Sequence, residues 1–598
     1  MKTPLAIAVV LTLTFVGWTA VWKHRVAHRL PDARILAAGQ VDHSIVYSNI
    51  LPQDYLGPQA CAECHQEQFD DWSSHPHACM NQLPSPDSVR GNFAEYSLEL
   101  PTGRVLFRTE ADPQGEPQYR MDVFRSGEKK PFRQYVVTKT VGSRYIQSYI
   151  GKQLKGPEPE DHAIYGEHRL PFTYWFKIGQ WLPGDFYNIH PDETVEQGIA
   201  QTRGLGLDPH VLPYTETCMN CHNTFSYAYR IYHKPLVGFP DALVASTLAP
   251  LARELSASGN RVEPTLKGIQ GANQQVDPAR ELVSLGISCE SCHLGGREHV
   301  INQRKIRFLP TSRFVKLQPR TGRPLLESRG HGPTLLGTCS QCHTGNGELF
   351  PNGAGKSNSR EAKDLHAGFC ASEMSCVNCH DPHKKTGSSD QLSSGILVQD
   401  QCIQCHPKYS RESERKQHGG FDGHRELSCL DCHMPRYTRG IDDLIRTHRI
   451  SHPVEETMVR EGSANACNAC HLDQSTRWTL EKLEQGWGRR IEPQPSWPIY
   501  TELDQPAGET WLASQDSHMR LLASQLYARP EYLGDRQTKL GDLIQALNDP
   551  QQVNRVFATF SVKRLLGWAM DKRLPVKITD SPGDRKRQIE LLLEQLAN

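Results

Sequence analysis

Cysteine and histidine recur in this sequence at one fixed spacing. In GISCESCHLGGREHV (286–300), Cys289 and Cys292 lie three residues apart and His293 follows at once. In a helical turn, residues i, i+3 and i+4 share one face, so two thiols and one imidazole would point the same way. Such thiols can add to the two vinyl groups of a porphyrin while the imidazole binds its iron. The spacing therefore predicts covalent haem attachment, with half a zinc site and a thiol–disulfide redox pair as alternatives.

The number of copies decides among these alternatives. Cysteine accounts for 18 and histidine for 27 of the 598 residues, and chance alone would give roughly 0.02 copies of the motif. The sequence contains eight copies, and every C-x-x-C pair is followed by histidine, which neither zinc nor a redox pair requires. We number them motifs 1 to 8 in chain order and predict eight haem c groups held by Cys61, Cys64 and His65; Cys218, Cys221 and His222; Cys289, Cys292 and His293; Cys339, Cys342 and His343; Cys376, Cys379 and His380; Cys402, Cys405 and His406; Cys429, Cys432 and His433; and Cys467, Cys470 and His471.

The histidines outside the motifs bear on function, because an iron with two histidine ligands passes electrons whereas one with an open face can bind a ligand. Nineteen histidines lie outside the motifs, enough for eight distal positions, while methionine is scarce. A distal histidine need not serve the nearest motif, and for each candidate the alternative is a surface or propionate-pairing histidine. The distal candidates are His77, His299, His383, His418 and His448, with His233, His331 and His366 carrying weaker support from their context.

Composition fits a protein whose core is partly made of cofactor. Apolar residues reach only 37%, below the usual share in a soluble protein of this size. Eight macrocycles would supply the missing apolar surface, so we expect little regular structure between 200 and 475. Lysine plus arginine and aspartate plus glutamate balance at 67 each, and nothing indicates nucleic-acid binding.

The first residues carry an uncharged run from Leu5 to Val21, long for a signal peptide and short for a membrane span. We predict an uncleaved signal anchor, with a cleaved signal peptide as the alternative. Lys23, Arg25 and Arg29 follow the run, which by the positive-inside rule would favour a cytoplasmic C-terminus. Haem is attached outside the cytoplasmic membrane, so we expect the chain on the periplasmic, extracytoplasmic side.

The predicted fold is a mainly α and irregular multihaem cytochrome fold with a small β-hairpin insertion at about 90–150 and a C-terminal α-helical repeat module. Alternating apolar and polar residues indicate the hairpins, and apolar residues at helical spacing indicate the C-terminal module. The expected divisions are an anchor at 1–22, a linker at 23–54, an octahaem domain at 55–485 with a haem-poor insertion at 81–217, a proline-rich linker at 486–512 and the helical module at 513–598.

Several motifs resemble one known family. CAECHQEQFDDWSSHPHACM (61–80) and GISCESCHLGGREHV are similar to signature blocks of the multihaem cytochromes that include the tetrahaem carriers of nitrification, with His75 where serine is usual. SCVNCHDPH, HGGFDGHRELSCLDCHMP and ANACNACHLDQSTRW resemble later blocks of a larger subgroup that ends in helical repeats. The resemblance spans about 55–485 and implies an electron-transfer protein with mainly bis-histidine haems.

Two functions from different classes follow. The first is a membrane-anchored periplasmic relay that passes electrons between redox protein partners, quinol-linked or other cytochromes. The second is an octahaem oxidoreductase with one open haem acting on a small nitrogen or sulfur species. No C-x-x-C-K motif, the usual mark of a catalytic haem in nitrite reductases, occurs. The C-terminal helices could also dock the chain in a larger complex.

Overall fold

The structure is a computed structural model. Among the residues that it describes, no helix is long and apolar enough to cross a membrane. The predicted anchor run and the candidates His233 and His331 lie outside the described residues. The structure describes residues 32–35, 44, 46–101, 103–184, 212–227, 282–308, 310–312, 315–318, 338–345, 347–370, 374–384 and 398–597.

One antiparallel sheet follows motif 1. Its strands pair in chain order as a meander, and Arg133–Val141 also pairs near its end with the short strand Asn81–Gln82. Apolar and polar residues alternate along several strands, which is the pattern expected where one face of a sheet is buried. The eight strands are Asn81–Gln82, Tyr96–Leu100, Gly103–Ala111, Pro117–Arg125, Arg133–Val141, Ile146–Lys155, His168–Trp175 and Gln180–Pro183.

The sheet is larger than the small hairpin insertion expected at about 90–150. Strands His168–Trp175 and Gln180–Pro183 continue it beyond that range, in a stretch too rich in aromatic residues to show a clear alternation. Trp181 stacks on Phe107 with ring centroids 3.9 Å apart. Gly91 lies against this tryptophan, where an added Cβ would come within 2.4 Å of the indole ring. The late strands thus complete the sheet core through aromatic packing.

The motif-bearing part of the chain consists of short helices and irregular connections, with small two-stranded pairings. Asp32–Ile35 pairs with Val315–Gln318, Asn223–Phe225 with Leu282–Leu285, and Thr438–Arg439 with Leu444–Ile445. The helices are Gln59–Ala62, Gln66–Ser73, Met219–His222, Arg297–Asn302, Glu361–Ala367, Val398–Cys405, Glu412–Gly419, Cys429–His433, Glu456–Arg460, Ala466–Cys470 and Thr476–Trp487.

Helices at the end of the chain share a core with the rest of the molecule. Phe560 contacts Trp175 of the sheet at a centroid distance of 6.4 Å, and His518 Nε2 lies 3.0 Å from the Tyr437 carbonyl oxygen. This shared core joins the C-terminal helices to the sheet and to the segment after motif 7. These helices are Ala507–Leu512, Ser517–Tyr527, Leu540–Gln545, Gln552–Leu565 and Pro582–Ala597.

Two further contacts connect these regions. Asp443, in the loop after motif 7, accepts a hydrogen bond from Arg529 at 2.8 Å and lies 3.5 Å from Arg564 and 4.0 Å from Lys177. The proline-rich segment predicted as a linker buries Trp497 together with neighbouring apolar residues of the last motif region. The proposed division at 486–512 is therefore accompanied by close packing across it.

Candidate haem-binding sites

Each C-x-x-C-H motif forms one helical turn. In seven motifs the backbone N–H of the histidine donates to the carbonyl of the first cysteine at 2.8–3.1 Å, and motif 7 is the helix Cys429–His433. An i to i−4 hydrogen bond of this kind places both thiols and the imidazole on one side of the turn. This local geometry is the one that the spacing predicted.

Six motif histidines face a second histidine across a gap. The ring centroids lie 5.9–6.5 Å apart, too far for direct contact and at closely similar separations in all six pairs. The pairs are His65 with His299, His293 with His383, His343 with His77, His380 with His448, His433 with His418, and His471 with His424.

This separation fits a metal ion held between two imidazoles. The bond from a metal ion to an imidazole nitrogen is about 2 Å long, and that nitrogen lies about 1.1 Å from the centroid of its ring. The centroids of two imidazoles on opposite sides of one ion therefore lie about 6.2 Å apart. The thiols of each motif lie on the helical turn that carries one ring of the pair. The residues therefore fit haem c with two axial histidines.

The rings differ in mutual orientation. In four pairs the planes are inclined by only 7–21°. The planes of His77 and His343 are inclined by 61°, and those of His424 and His471 by 53°. The pairs thus fall into a near-parallel and a strongly inclined group.

Most of these pairs join distant parts of the chain. His77 follows motif 1 but faces motif 4, His299 follows motif 3 but faces motif 1, and His383 follows motif 5 but faces motif 3. His75 does not face a motif histidine; its ring lies 4.8 Å from that of His77, and its Nδ1 accepts the His77 backbone N–H at 3.1 Å.

Sequence reasoning missed His424. It lies in HGGFDGHREL, close to motif 7 and six residues after the chosen candidate His418. Its Nδ1 lies 2.9 Å from the Gly419 carbonyl oxygen, which leaves Nε2 toward His471. Two histidines in one short segment were the available signal, but spacing alone did not show that each faces a different motif.

Motifs 2 and 6 differ from the others. Within the described residues, no histidine ring faces His222 or His406 in the way seen in the six pairs; the ring nearest His406 is that of Tyr409, at 6.4 Å. His366 lies in the last turn of the helix Glu361–Ala367, and its role as a ligand stays a prediction.

Cationic side chains lie beside motif 2. Burial raises the pKa of Cys218, and the charge of Arg169 partly offsets this rise. Lys139 pairs with Glu167 at 2.5 Å and lies 5.1 Å from the centre of the Tyr214 ring. The Tyr214 hydroxyl accepts hydrogen bonds from Asn81 and Asn223.

Hydrogen bonds orient several of the paired rings. His433 Nδ1 lies 2.8 Å from the Ser451 carbonyl oxygen, and His299 Nδ1 lies 2.7 Å from that of Arg304. A carbonyl acceptor requires the proton on Nδ1, so Nε2 keeps its lone pair for a metal. Burial lowers the pKa of His77 to about 3 and that of His293 to about 4, which also favours the neutral ligand form.

His343 has a different partner. Its Nδ1 lies 3.1 Å from Oε2 of Glu361, and this hydrogen bond raises the pKa of His343 to about 9. Burial would raise the pKa of Glu361, but the hydrogen bond and charge of His343 outweigh it and lower the value to about 2. The histidine of motif 4 therefore has a carboxylate at Nδ1, whereas the histidine of motif 7 has a backbone carbonyl there.

The motifs adjoin one another through their cysteines. Cysteines of motifs 1 and 3, 4 and 5, and 6 and 7 lie next to one another and shift each other's pKa, namely Cys61 and Cys289, Cys339 and Cys376, and Cys402 and Cys429. Three further pairs of cysteines are close enough for the charge of one thiol to raise the pKa of the other. These are Cys292 and Cys339, Cys379 and Cys402, and Cys432 and Cys467, and in each pair this effect is smaller than that of direct contact or burial.

These contacts order the motifs as 1, 3, 4, 5, 6, 7 and 8. Motif 2 stands beside this series, next to motif 4, since the charge of His343 contributes, after burial, to lowering the pKa of His222 to about 4. Motif 4 accordingly adjoins motifs 2, 3 and 5.

A buried carboxylate fixes motif 3 to the segment before motif 1. Glu290 accepts backbone hydrogen bonds from Gly57 at 2.7 Å, Leu56 at 3.1 Å and Gly296 at 2.8 Å. Glu290 is only 2% exposed. Burial raises the pKa of Glu290, and the three N–H groups oppose that rise. The carboxylate thus connects the chain on both sides of the contact between motifs 1 and 3.

Family matches and one curated relative support a multihaem c-type cytochrome with the capacity for electron transfer. The family model described as cytochrome c552 matches residues 404–492, and the model described as cytochrome c554 and c-prime matches residues 60–94.

Two individual proteins are similar to the chain. The dissimilatory sulfite reductase MccA of Wolinella succinogenes is 22% identical over 433 residues, which cover 64% of this chain and 51% of that protein. The chain thus spans about half the length of this curated relative. The crystal structure of the outer cell wall cytochrome OcwA matches 90% of this chain and 100% of that one, at 14% identity and a TM-score of 0.36.

Proposed function

We propose that the chain is an extracytoplasmic octahaem cytochrome that relays electrons. The observation that carries the proposal is the set of six histidine pairs with centroids 5.9–6.5 Å apart. In each motif the two cysteines attach haem c and the histidine is the proximal ligand. The distal ligands are His299, His383, His77, His448, His418 and His424, in the order of motifs 1, 3, 4, 5, 7 and 8.

The relay runs through the motifs in the order set by their cysteine contacts. Haem c supplies a one-electron carrier at each motif. The chain holds successive carriers next to one another, since the thiols of motifs 1 and 3, 4 and 5, and 6 and 7 touch. Two histidine ligands saturate an iron, which favours electron transfer over ligand chemistry at these six positions.

The cellular setting of the proposal comes from the sequence. The apolar run at 5–21 anchors the chain, or is removed as a signal peptide, and the haem-bearing part lies in the periplasm. Donor and acceptor are redox proteins, quinol-linked or other cytochromes. The C-terminal helices bury their apolar residues against the rest of the chain, which supports a bracing role beside the proposed docking in a larger complex.

Mass spectrometry and electron paramagnetic resonance of the purified protein test this proposal. We expect a mass equal to the polypeptide plus eight haem groups, and low-spin ferric signals that account for at least six haems. Full reduction by dithionite should consume eight electrons per chain. A mass that matches the bare polypeptide, or a mostly high-spin spectrum, would contradict the relay.

A second candidate function is favoured by the surroundings of motif 2. No described histidine ring faces His222, and Arg169 brings positive charge near Cys218 of this motif. An iron with one open face could bind a small oxyanion there, which is compatible with a sulfite reductase among the curated relatives.

Turnover assays separate the two functions. With reduced methyl viologen as donor, the enzyme would consume sulfite, nitrite or hydroxylamine, and the ferric protein would show about one high-spin haem in eight. Absence of both the turnover and the high-spin signal would leave the relay as the function.

A further inference from the structure

Motif 4 occupies a junction among the motifs. The Cys339 thiol contacts Cys376 of motif 5, and Cys292 of motif 3 lies near it. His343 faces His77 at 6.4 Å, and His222 of motif 2 lies close by. An electron that passes along the series between motifs 3 and 5 therefore encounters motif 4.

The proximal histidine of this junction is held by a carboxylate that is itself fixed in place. Glu361 Oε2 lies 3.1 Å from His343 Nδ1, while Oε1 accepts the Ser359 backbone N–H at 2.8 Å. The next residue, Ala362, donates its backbone N–H to the His343 carbonyl at 3.1 Å. Both the ring and the backbone of His343 are thus bound to the start of the helix Glu361–Ala367.

The other hydrogen-bonded rings have weaker acceptors or looser contacts. His299, His424 and His433 each have a neutral backbone carbonyl at Nδ1. Asp381 lies 3.4 Å from Nδ1 of the distal His383, and both side chains are at least one-third exposed. The contact between Glu361 and His343 at motif 4 is shorter, and the Glu361 side chain is less exposed than that of Asp381.

We propose that Glu361 is a positioning residue that lowers the reduction potential of the iron at motif 4. A carboxylate that accepts from Nδ1 gives the imidazole more anionic character and makes it a stronger donor at Nε2. A stronger donor stabilises ferric over ferrous iron. This inference rests on the proposed haem ligation by His343.

The redox step itself is simple. With haem bound, reduction of its iron at motif 4 would take up one electron without forming or breaking a covalent bond, and the proton would stay on Nδ1 of His343. A lowered potential would raise the free energy of an electron at motif 4. This energy would control how readily an electron continues along the series.

The inclined ring planes make motif 4 distinguishable. As two axial imidazoles turn away from a parallel arrangement, the two iron orbitals that overlap with their π systems come closer in energy, and the maximum g value of the ferric ion increases. Only the pairs at motifs 4 and 8 are inclined by more than 50° among the six. Among the six paired motifs, a titration that follows this signal therefore reports motifs 4 and 8.

The test compares wild type, Glu361→Gln and the control Glu348→Gln in a redox titration monitored by electron paramagnetic resonance. Glu348 also carries one negative charge, but it pairs with Lys356 at 3.2 Å rather than with a ligand. We expect Glu361→Gln to move one of the two large-g components to higher potential. The other component and the whole control titration should stay in place.

Other outcomes are equally decisive. Unchanged potentials in Glu361→Gln would overturn the inference and leave the relay intact. Conversion of one haem to high spin would also overturn it, because Glu361 would then hold the ligand in place rather than tune its donor strength. If Glu361→Gln does not incorporate haem, Glu361→Asp replaces it, and a component that moves from its wild-type potential supports the inference while an unmoved one rejects it. A wild-type protein without haem would instead refute the proposed function.

Discussion

The rings of His65 and His299 face each other with centroids 6.3 Å apart and planes inclined by 21°, although they belong to the segments of motifs 1 and 3. The same two segments meet at Cys61 and Cys289 and are joined by Glu290. Ring pairing, cysteine contact and a buried carboxylate therefore connect one pair of motifs.

The ring orientations predict two classes of low-spin signal. Four near-parallel pairs should give ordinary rhombic spectra, because parallel rings separate the energies of the iron orbitals, while motifs 4 and 8 should give large-g signals. Integration of the frozen oxidised protein should yield about two large-g haems for every four rhombic ones. Six equivalent rhombic haems would contradict the inclined geometry.

Replacing His424 should affect motif 8 alone. His424→Ala removes the ring that faces His471, so one haem should become high-spin and able to bind cyanide or carbon monoxide. Optical and electron paramagnetic resonance spectra measure this change.

His452→Ala is the matched control, because its ring contacts Phe369 at 5.2 Å and takes part in none of the six pairs. An unchanged spin state in His424→Ala would remove His424 from the ligand set.

Glu290→Gln should destabilise the contact between motifs 1 and 3. Three backbone N–H groups converge on this buried carboxylate, and an amide that turns its NH₂ toward one of them leaves a donor unsatisfied. We expect a loss of about 2 kcal/mol in the free energy of unfolding, measured by urea denaturation.

Glu492→Gln is a suitable comparison, since its exposed side chain pairs with Arg490 on the surface. Equal stability of the two variants would show that Glu290 contributes little to the fold.

His518 should make the C-terminal core sensitive to acid. Burial lowers the pKa of this histidine to about 4, against 6.5 as its ordinary value. A lowered histidine pKa stabilises the fold above pH 6.5, and this contribution is lost as pH falls from 6.5 toward 4. The difference amounts to about 3 kcal/mol.

The comparison is between wild type and His518→Gln, which keeps a donor for the Tyr437 carbonyl. Denaturation midpoints at pH 7.5 and 5 should fall more in wild type than in the variant. An identical fall in both proteins would assign the acid sensitivity to other groups.

The amino-acid sequence determined the chemistry of the sites. The C-x-x-C-H spacing is local, and a single helical turn is enough to place Cys289, Cys292 and His293 on one side. The class of multihaem c-type cytochrome and the presence of C-terminal helices follow from such short-range patterns, because helical periodicity and motif spacing are properties of adjacent residues.

The tertiary structure decided which residues meet. His77 and His343, or Glu361 and His343, come together only when separate segments pack, and no local pattern encodes such contacts. The sheet likewise extends to Pro183 because late strands add to early ones through aromatic packing in the core. Ligand pairing, the junction at motif 4 and its carboxylate are therefore consequences of long-range packing, since the energy that selects them depends on surfaces far apart in the chain.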